Sequence, residues 1–424
     1  MSASTHTLVT PTIIAKEALR LLKNSLVMGN LVHRSYESEF TGGQGSSIRV
    51  RKPVKFSVHT GRTRNTTFRL TEQYITLTVA TQMHVSWSFN TADLTLSIEQ
   101  YAERYLNNAV AALANKVDAD LLDLYKDVAN SVWESTAFNL DPESFLVLGK
   151  AAQKLDEEGV PQENRAIVLN PAANWSLANA MRNMYVTKVS DPALRKGYLT
   201  NIGGFEIFMD QNVKTHTTGF RCTDSSESDG TGVEVGTTQP CTGSETTAIQ
   251  LCDFDIATTH VLRNGDVFTI AGVYAVNPMS GDSTGSLRQF VVTADVSCGS
   301  TGTTTEVPLT VHITPEIRDT GPYKTVDTLP ANGAVVDIIG HEEEPYPQNI
   351  AFHKNAFALI FVPLEMPDGA AWKARETDPD SGLSIRVIKD YDIDVDDEVI
   401  RLDILYGVKT LYPELATRIW GKQG

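Results

Sequence analysis

Hydrophobic and polar residues alternate over positions 75–89, and this is the clearest pattern in the chain. Such alternation is typical of a β-strand. Apolar residues then recur every three to four positions over 98–128, which predicts one stripe of a helix. Neither Gly nor Pro occurs between positions 90 and 141, and a helix of about 35 residues would measure roughly 50 Å. We therefore expect a projecting arm that is tied to a long spine helix.

A second alternating stretch, at 48–58, predicts the other limb of this arm. A Gly-rich turn at 41–47 precedes it, and a polar, basic tip at 59–67 separates it from the strand at 75–89. The two limbs predict a long β-hairpin. Because a two-stranded ribbon alone is marginally stable in water, the hairpin requires support from a partner.

The segments on either side of the arm predict an α+β body. Thr10 and Pro11 are suited to open a helix, and Gly29 is suited to end it. After the spine, Asp141 and Pro142 predict the start of another helix. The further expected elements are the end of that helix at 159–161, a buried strand at 165–169, a helix at 172–184 and a strand at 205–209.

The composition changes near position 217 and stays rich in Thr, Ser and Gly as far as 345, without a helical stripe. We interpret this region as a small all-β barrel or sandwich inserted into the body. The strand candidates are 261–262, 267–273, 289–296, 307–313 and 335–339.

Five segments are therefore expected along the chain. They are an N-terminal arm (1–40), the hairpin (41–90), the spine helix with the first part of the body (91–216), the inserted all-β domain (217–345) and the return to the body (346–424).

Charge is distributed unevenly between the arm and the rest of the chain. The formal net charge is -16. Positions 1–71 hold eleven basic and three acidic residues, a net +8, which leaves -24 for the remainder. A basic arm on an acidic body requires an acidic partner. The candidate contact residues of the arm are Arg49, Arg51, Lys52, Lys55, Arg62, Arg64 and Arg69.

Four aspartates alternate with apolar residues at 390–396: Asp390, Asp392, Asp394 and Asp396. A calcium loop needs Gly at its sixth position and Glu at its twelfth. Counted from Asp392, these positions hold Asp397 and Asp403. The spacing is that of a strand, so we interpret the four carboxylates as one solvated face and as a candidate docking surface for a basic arm. A second candidate contact lies in the inserted domain, in the polar loop 223–243 with Asp224, Glu227 and Asp229.

Residues 281–285 match the Gly-x-Ser-x-Gly pattern of serine hydrolases, with Ser283 as the nucleophile. A nucleophile elbow requires a strand, a sharp turn and then a helix. Both flanks of this motif predict strands, so a hairpin loop is favoured over an active site.

The sequence predicts neither a cofactor nor a metal site. The four cysteines (Cys222, Cys241, Cys252 and Cys298) lie far apart without a Cys-x-x-Cys motif, which argues against zinc. No apolar run reaches the length of a membrane helix, and no secretion signal is evident. We expect free thiols in a reducing cytosol, although a bridge between Cys222 and Cys241 stays open.

The order of these parts resembles the major capsid proteins of tailed bacteriophages with the Hong Kong 97 fold. Three stretches are similar to the coat proteins of short-tailed phages of the Salmonella lambdoid kind, which carry an inserted β-barrel domain. They are RNGDVFTIAGV at 263–273, NIAFHKNAFAL at 349–359 and RLDILYGVK at 401–409.

This resemblance implies a structural protein with no active site, composed of an N-arm, an E-loop hairpin, a spine helix, P- and A-domains and an inserted barrel. It also implies pentamers and hexamers that close an icosahedral shell around double-stranded DNA in the host bacterial cytoplasm. The implied partners are further copies of the chain, a scaffolding protein, a portal and, in some relatives, a decoration protein. The hairpin would lie on the adjacent subunit. Lys52 and Lys55 lie in the hairpin, but nothing identifies a partner for crosslinking, so we do not predict it.

Three other functions stay open at this point. A cellular nanocompartment shell would have the same fold and hold enzyme cargo. A serine hydrolase would use Ser283. A DNA-binding protein would use the basic hairpin, although DNA-binding domains tend to be basic as a whole and this chain is acidic.

Overall fold

The computed structural model describes most of the chain, and every structural statement below refers to these residues. They are 11–36, 46–56, 62, 72–90, 105–134, 144–180, 201–219, 234–235, 246–252, 262–297, 309–370, 372–378, 382–393 and 397–421.

Helices make up the smaller part of the described structure. The α-helices are α1 (Pro11–Ser25), α2 (Asn107–Leu122), α3 (Phe145–Glu157) and α4 (Pro171–Ala180). Short 3-10 turns are Met28–Asn30, Asp123–Asp127, Lys354–Ala356 and Pro413–Leu415.

Strands are the commoner element. They are β1 (Ser47–Arg51), β2 (Tyr74–Thr78), β3 (Thr81–Asn90), β4 (Ser131–Val132), β5 (Arg165–Leu169), β6 (Glu206–Met209), β7 (Thr215–Thr217), β8 (Glu234–Val235), β9 (Thr246–Cys252), β10 (Val267–Val276), β11 (Ser283–Val292), β12 (Leu309–Ile317), β13 (Val336–Ile338), β14 (Pro345–His353), β15 (Phe357–Phe361), β16 (Trp372–Thr377), β17 (Ser384–Asp392), β18 (Asp397–Thr410) and β19 (Ala416–Trp420).

The chain divides into two compact units. The first comprises Met1–Arg51, Tyr74–Leu121 and Phe357–Leu411, and the second comprises Lys52–Gln73, Leu122–Ala356 and Tyr412–Gly424.

A five-stranded antiparallel sheet forms the body of the first unit. Its order is β15-β18-β17-β16, and β3 pairs with β18 along its whole length. The inward face is apolar, with Ile385, Val387 and Leu402 fully buried, and α1 packs against β16 and β17. Because α1 begins at Pro11, the predicted helix start is confirmed.

The arm leaves this unit as an antiparallel pair of strands, β1 and β2. Ile48 pairs with Leu77, and Val50 pairs with Ile75. Val50 and Leu77 are buried, so one face of the pair is anchored. The predicted hairpin is therefore confirmed in its stem. Its first limb is shorter than predicted, because residues 52–56 are not in a strand.

The expectation of one uninterrupted strand over 75–89 is wrong. The strand ends at Thr78, and β3 begins at Thr81 and pairs with β18 rather than with β1. Gly407 of β18 marks this change of partner: a Cβ atom at that position would lie 2.4 Å from the Thr78 carbonyl oxygen. The return limb of the arm thus consists of β2 alone, because the backbone crosses β18 at this point.

The second part of the predicted spine helix is confirmed. Helix α2 covers Asn107–Leu122, and a 3-10 turn continues it to Asp127. Positions 91–104, the first part of the predicted helix, lie outside the described residues. Buried residues of α2 follow the predicted spacing and include Val110, Leu113 and Val117.

A second sheet, ordered β4-β19-β14-β5-β6, organises the second unit, and β7 pairs with the start of β14. Helices α3 and α4 bury one face each in its core, through residues such as Leu148 and Leu177. The predicted strand at 165–169 is confirmed as β5. Helix α3 begins after Ser144, an extended N-cap residue, rather than directly after Asp141 and Pro142 as predicted.

The Thr-rich region folds around a core of its own. Its strands form an antiparallel sheet in the order β13-β10-β11-β12-β9-β8, with buried side chains such as Phe268, Phe290 and Val311. Four of the five predicted strand segments overlap β10 to β13. The sequence missed β8 and β9. Among the described residues no pairing joins β13 to β8, so closure into a barrel stays a prediction.

Candidate assembly surface

The outer face of the arm stem carries basic side chains. Arg49 and Arg51 are exposed on β1, opposite Thr76 and Tyr74 of β2. The Arg49 guanidinium lies 4.8 Å from the centre of the Tyr74 ring, within the range of a cation–π contact. Stacking limits the freedom of the arginine, so the stem presents a partly ordered basic and aromatic face.

The other predicted arm residues lie further along the limbs. Lys55 and Arg62 are exposed, and Lys52 is half-buried. Arg64 and Arg69 lie outside the described residues.

The predicted acidic row is not one straight strand. Strand β17 ends at Asp392, which pairs with Asp397 at the start of β18, so the two strands form a hairpin here. Asp390 and Asp392 are exposed at its end. Asp394 and Asp396 lie outside the described residues. The alternating pattern extended too far because a hairpin turn with acidic residues retains the spacing of a strand.

Two apolar side chains at this hairpin were missed by the sequence reasoning. Tyr391 is 49% exposed and Ile393 is 82% exposed. Their alternation with the aspartates was visible in the sequence, but only the carboxylates were assigned a role. An apolar patch rimmed by polar residues marks many contact surfaces, and Tyr391 and Ile393 with the flanking aspartates make this hairpin a candidate for one. We call Asp390, Tyr391, Asp392 and Ile393 the hairpin end.

A buried carboxylate supports the same two strands. Asp403 of β18 is fully buried and accepts hydrogen bonds from Arg386 Nη2 at 2.8 Å and Arg401 Nε at 2.7 Å. The pairing of Arg386 with Asp403 spans β17 and β18. This network fixes the base of the hairpin, so the hairpin end is held on a rigid support.

A second buried carboxylate joins α2 to the segment after α1. Asp118 accepts hydrogen bonds from the backbone N–H groups of Val27 at 2.7 Å and Gly29 at 2.8 Å. Two residues further along α2, Asp120 accepts a hydrogen bond from the Tyr406 hydroxyl at 2.6 Å. Burial, together with this carboxylate, raises the pKa of Tyr406.

Within the second unit, a buried polar network joins its two sheets. The Tyr125 hydroxyl lies 3.1 Å from His216 Nδ1, and His216 Nε2 lies 2.8 Å from Asp266 Oδ1. Arg418 is fully buried and donates to the Gly265 carbonyl at 2.8 Å. Burial lowers the pKa of Arg418 to about 10, and burial raises the pKa of Tyr125. These are structural contacts, because every member packs inside the unit.

His353 of β14 predicts a pH dependence of stability. Burial, and secondarily the charge of Arg165, lowers the pKa of His353, and its Nδ1 accepts a hydrogen bond from the Asn355 N–H at 3.2 Å. The folded state therefore prefers the neutral imidazole. This contribution is complete above the unfolded pKa of about 6.5 and is lost as pH falls through the lower folded value.

We expect the melting temperature to fall between pH 7.5 and pH 5, and to fall less in His353→Gln, as measured by calorimetry. An equal fall in both proteins would contradict the role of His353, since the remaining groups titrate in both.

Ser283 begins strand β11 and pairs with Val276 of β10. Gly281 and Gly285 have positive φ angles, and strands flank the motif on both sides. The hairpin interpretation is therefore confirmed, and the local geometry differs from a nucleophile elbow, which requires a following helix.

Asp224, Glu227 and Asp229 lie outside the described residues. In the described ranges, no three His, Cys, Asp or Glu side chains are placed to hold a metal ion. None of the helices described above combines the length and hydropathy needed to cross a membrane.

Comparison with known proteins decides the family. The model of the P22 coat protein family, described as gene protein 5, matches residues 1–421. The chain belongs to the P22 coat protein family. It is a major capsid protein, a structural component of the virion that assembles with further copies into the phage shell. Its α+β fold is of the Hong Kong 97 kind.

Solved capsids resemble this coat protein only weakly. The structure from Mycobacterium phage Che8 is 14% identical, with 93% of this chain and 90% of that chain covered and a TM-score of 0.48. The capsid of cyanophage P-SCSP1u is 11% identical, with 94% and 89% covered and a TM-score of 0.45. The capsid of Ralstonia phage GP4 is 10% identical, with 93% and 87% covered and a TM-score of 0.42. No curated protein matches at a significant level. The family match alone identifies the chain.

Proposed function

We propose that the coat protein closes its shell by placing the basic arm of one subunit on the hairpin end of a neighbour. The observation that carries this proposal is the presence of both surfaces on one chain. Arg49 and Arg51 are exposed on the stem, and Asp390 and Asp392 are exposed on the hairpin. Such head-to-tail complementarity generates rings and extended lattices rather than closed dimers.

The two surfaces match in more than charge. The stem offers Tyr74, which is 56% exposed, beside its arginines. The hairpin end offers Tyr391 and Ile393 beside its aspartates. Burial of these apolar groups would supply affinity, while the charges would set orientation and the rate of encounter.

Reversing the charge of the stem is expected to block assembly without unfolding the subunit. Arg49→Glu with Arg51→Glu places two carboxylates opposite the acidic hairpin end, where repulsion opposes docking. We expect the yield of shells to fall at least about tenfold, as measured by sedimentation and electron microscopy. Arg62→Glu with Arg64→Glu tests the tip of the arm in the same way, with the same direction of effect.

Two comparisons make this test specific. Lys16→Glu with Lys409→Glu reverses two exposed charges elsewhere in the first unit and should leave the yield unchanged. Asp390→Lys with Asp392→Lys should fail alone but restore shells when combined with Arg49→Glu and Arg51→Glu in the same chain. Normal shells from the stem variant would show that these charges do not direct assembly.

We further propose that the subunits form pentamers and hexamers around double-stranded DNA in the host cytoplasm, with a scaffolding protein, a portal and, in some shells, a decoration protein. Support comes from the family and from the acidic body, which would enclose DNA without binding it tightly because both carry negative charge. Purified particles should contain phage DNA. Particles that held enzyme cargo would favour a nanocompartment instead.

The proposal assigns no catalytic role to the coat protein. Ser283→Ala should leave any ester hydrolysis by the purified subunit unchanged. Loss of hydrolysis in this variant would support the serine hydrolase function instead.

A further inference from the structure

The first residues of the arm beyond its stem belong to the second unit and contact two tyrosines of that unit. The Lys55 backbone N–H donates to the Tyr323 hydroxyl at 3.4 Å. The Lys52 ammonium lies 6.0 Å from the centre of the Tyr412 ring. Lys52 also remains paired to the other limb, because its N–H donates to the Gln73 carbonyl at 2.8 Å. The limb thus leaves the stem as part of the hairpin and touches two separate segments of its own chain.

Tyr323 is held on a rigid turn that follows β12. The Thr325 N–H donates to the Arg318 carbonyl at 2.8 Å, and the Thr325 hydroxyl donates to the Glu316 carbonyl at 2.6 Å. Lys324 extends to the Gly281 carbonyl of the neighbouring hairpin at 3.1 Å. The Arg318 guanidinium lies 5.8 Å from the Tyr323 ring. The position of the hydroxyl is therefore fixed by the Thr-rich domain.

Tyr412 is fixed by a different part of the unit. Its backbone N–H donates to the Ala356 carbonyl at 3.2 Å, and the 3-10 turn Pro413–Leu415 follows it directly. Two supports of different origin, one polar and one cation–π, therefore meet the limb within four residues.

We propose that Tyr323 and Tyr412 form a tyrosine support that holds the outgoing limb of the arm, 52–56. The support sets the direction of the limb before the arm docks on a neighbouring subunit. The Thr-rich domain thereby acts as a positioning element for the arm. Phe56 lies at the end of this limb and is 72% exposed, so the tyrosine support presents it outward. Preorganisation of this kind lowers the entropy lost on docking. The consequence for assembly rests on the proposed docking of the arm, whereas the contact itself does not.

Limited trypsin digestion of the unassembled subunit tests the tyrosine support directly, because the limb and tip contain cleavable bonds after Lys55 and Arg62. Tyr323→Ala should raise the rate of these cleavages about fivefold, since the net effect of one hydrogen bond is of that order. Tyr323→Phe, which keeps the ring and removes only the hydroxyl, should show a similar rise, because the contact with Lys55 is made by the hydroxyl. Tyr323→Ala with Tyr412→Ala should show a larger one.

Tyr274→Ala is the matched control. Tyr274 is 38% exposed on β10 of the same domain and pairs with Leu287 across the strands. The trypsin cleavage rates of the Tyr274→Ala variant should equal those of the natural protein. Cleavage rates in Tyr323→Phe and Tyr323→Ala equal to those of the natural protein would overturn this tyrosine support, and the Phe variant decides the matter if the Ala variant does not fold.

The assembly rate of Tyr323→Phe provides the second measurement. We expect slower initial assembly than in the natural protein, as followed by light scattering. Faster assembly would overturn the positioning role, because the contact would then hold the arm back. If the digestion result stands and Arg49→Glu with Arg51→Glu still forms normal shells, the proposed docking fails and the tyrosine support survives.

Discussion

Asp403→Ala is expected to lower the free energy of unfolding of the first unit by about 3–5 kcal/mol. Asp403 is fully buried, and the Arg386 side chain that it binds is only 13% exposed. Removing the carboxylate leaves that guanidinium without its counter-charge in a site from which water is largely excluded. Urea unfolding followed by circular dichroism measures the loss.

Two further variants separate the buried charge from a general weakening of the sheet. Glu398→Ala removes the partner of Lys389 in a more exposed ion pair on the same two strands, 2.5 Å long. It should cost less than about 1 kcal/mol. Arg386→Met with Asp403→Leu removes both buried charges and should recover most of the loss. A loss in Asp403→Ala no larger than in Glu398→Ala would contradict the central role of Asp403.

Gly407→Ala is expected to be the most damaging addition of a single methyl group among the glycines described. A Cβ atom there would lie 2.4 Å from the Thr78 carbonyl oxygen and 3.1 Å from the Val79 Cα atom. Both are backbone atoms, so no side chain can rotate to make room. Overpacking typically costs 1–3 kcal/mol, and we expect about 3 kcal/mol or more because the whole joint between β2 and β3 must shift.

Gly369→Ala is the appropriate control for this substitution. It lies in the same unit, and a Cβ atom there would meet nothing within 4 Å. Its stability should match that of the natural protein to within about 0.5 kcal/mol. Thermal unfolding of the two variants in parallel compares them, and equal melting temperatures would show that the crossing at Gly407 can relax.

Local patterns predicted the elements whose signals lie within a few residues of each other. Pro11 predicted the start of α1, and the apolar run at 165–169 predicted β5. The two alternating limbs announced the stem of the arm. Each of these signals depends on one face of one element, so it survives without knowledge of the partner strand.

Other features depended on which strand lies next to which, and the pattern could not supply this. Residues 75–89 keep one parity throughout, yet the first part pairs with β1 and the second with β18. Parity records which face of a strand is buried, but it carries no record of its neighbour. In the sequence, Gly407 is a local sign that the chain between β2 and β3 passes close to β18. A glycine in a strand, however, has several explanations.

The hairpin within the acidic row was not predicted for a related reason. A hairpin turn whose limbs are both charged preserves alternation across the reversal, so Asp390 to Asp396 were assigned to one strand. The apolar residues between the aspartates were given no role, although Ile393 is among the most exposed apolar side chains of the described residues. The tyrosine contacts of the arm could not be predicted at all, because they join residues more than 250 positions apart.

The joint between β2 and β3 has a mechanical consequence. Only Val79 and Ala80 separate the two strands, and Val79 is buried, so the stem of the arm and the edge of the five-stranded sheet are nearly one continuous chain segment. A pull on the arm by a neighbouring subunit is then carried along covalent bonds into ten consecutive residue pairs of β3 with β18. Shearing such a ladder requires many hydrogen bonds to break together, so internal pressure on the shell would be borne by the sheet rather than by a flexible tether.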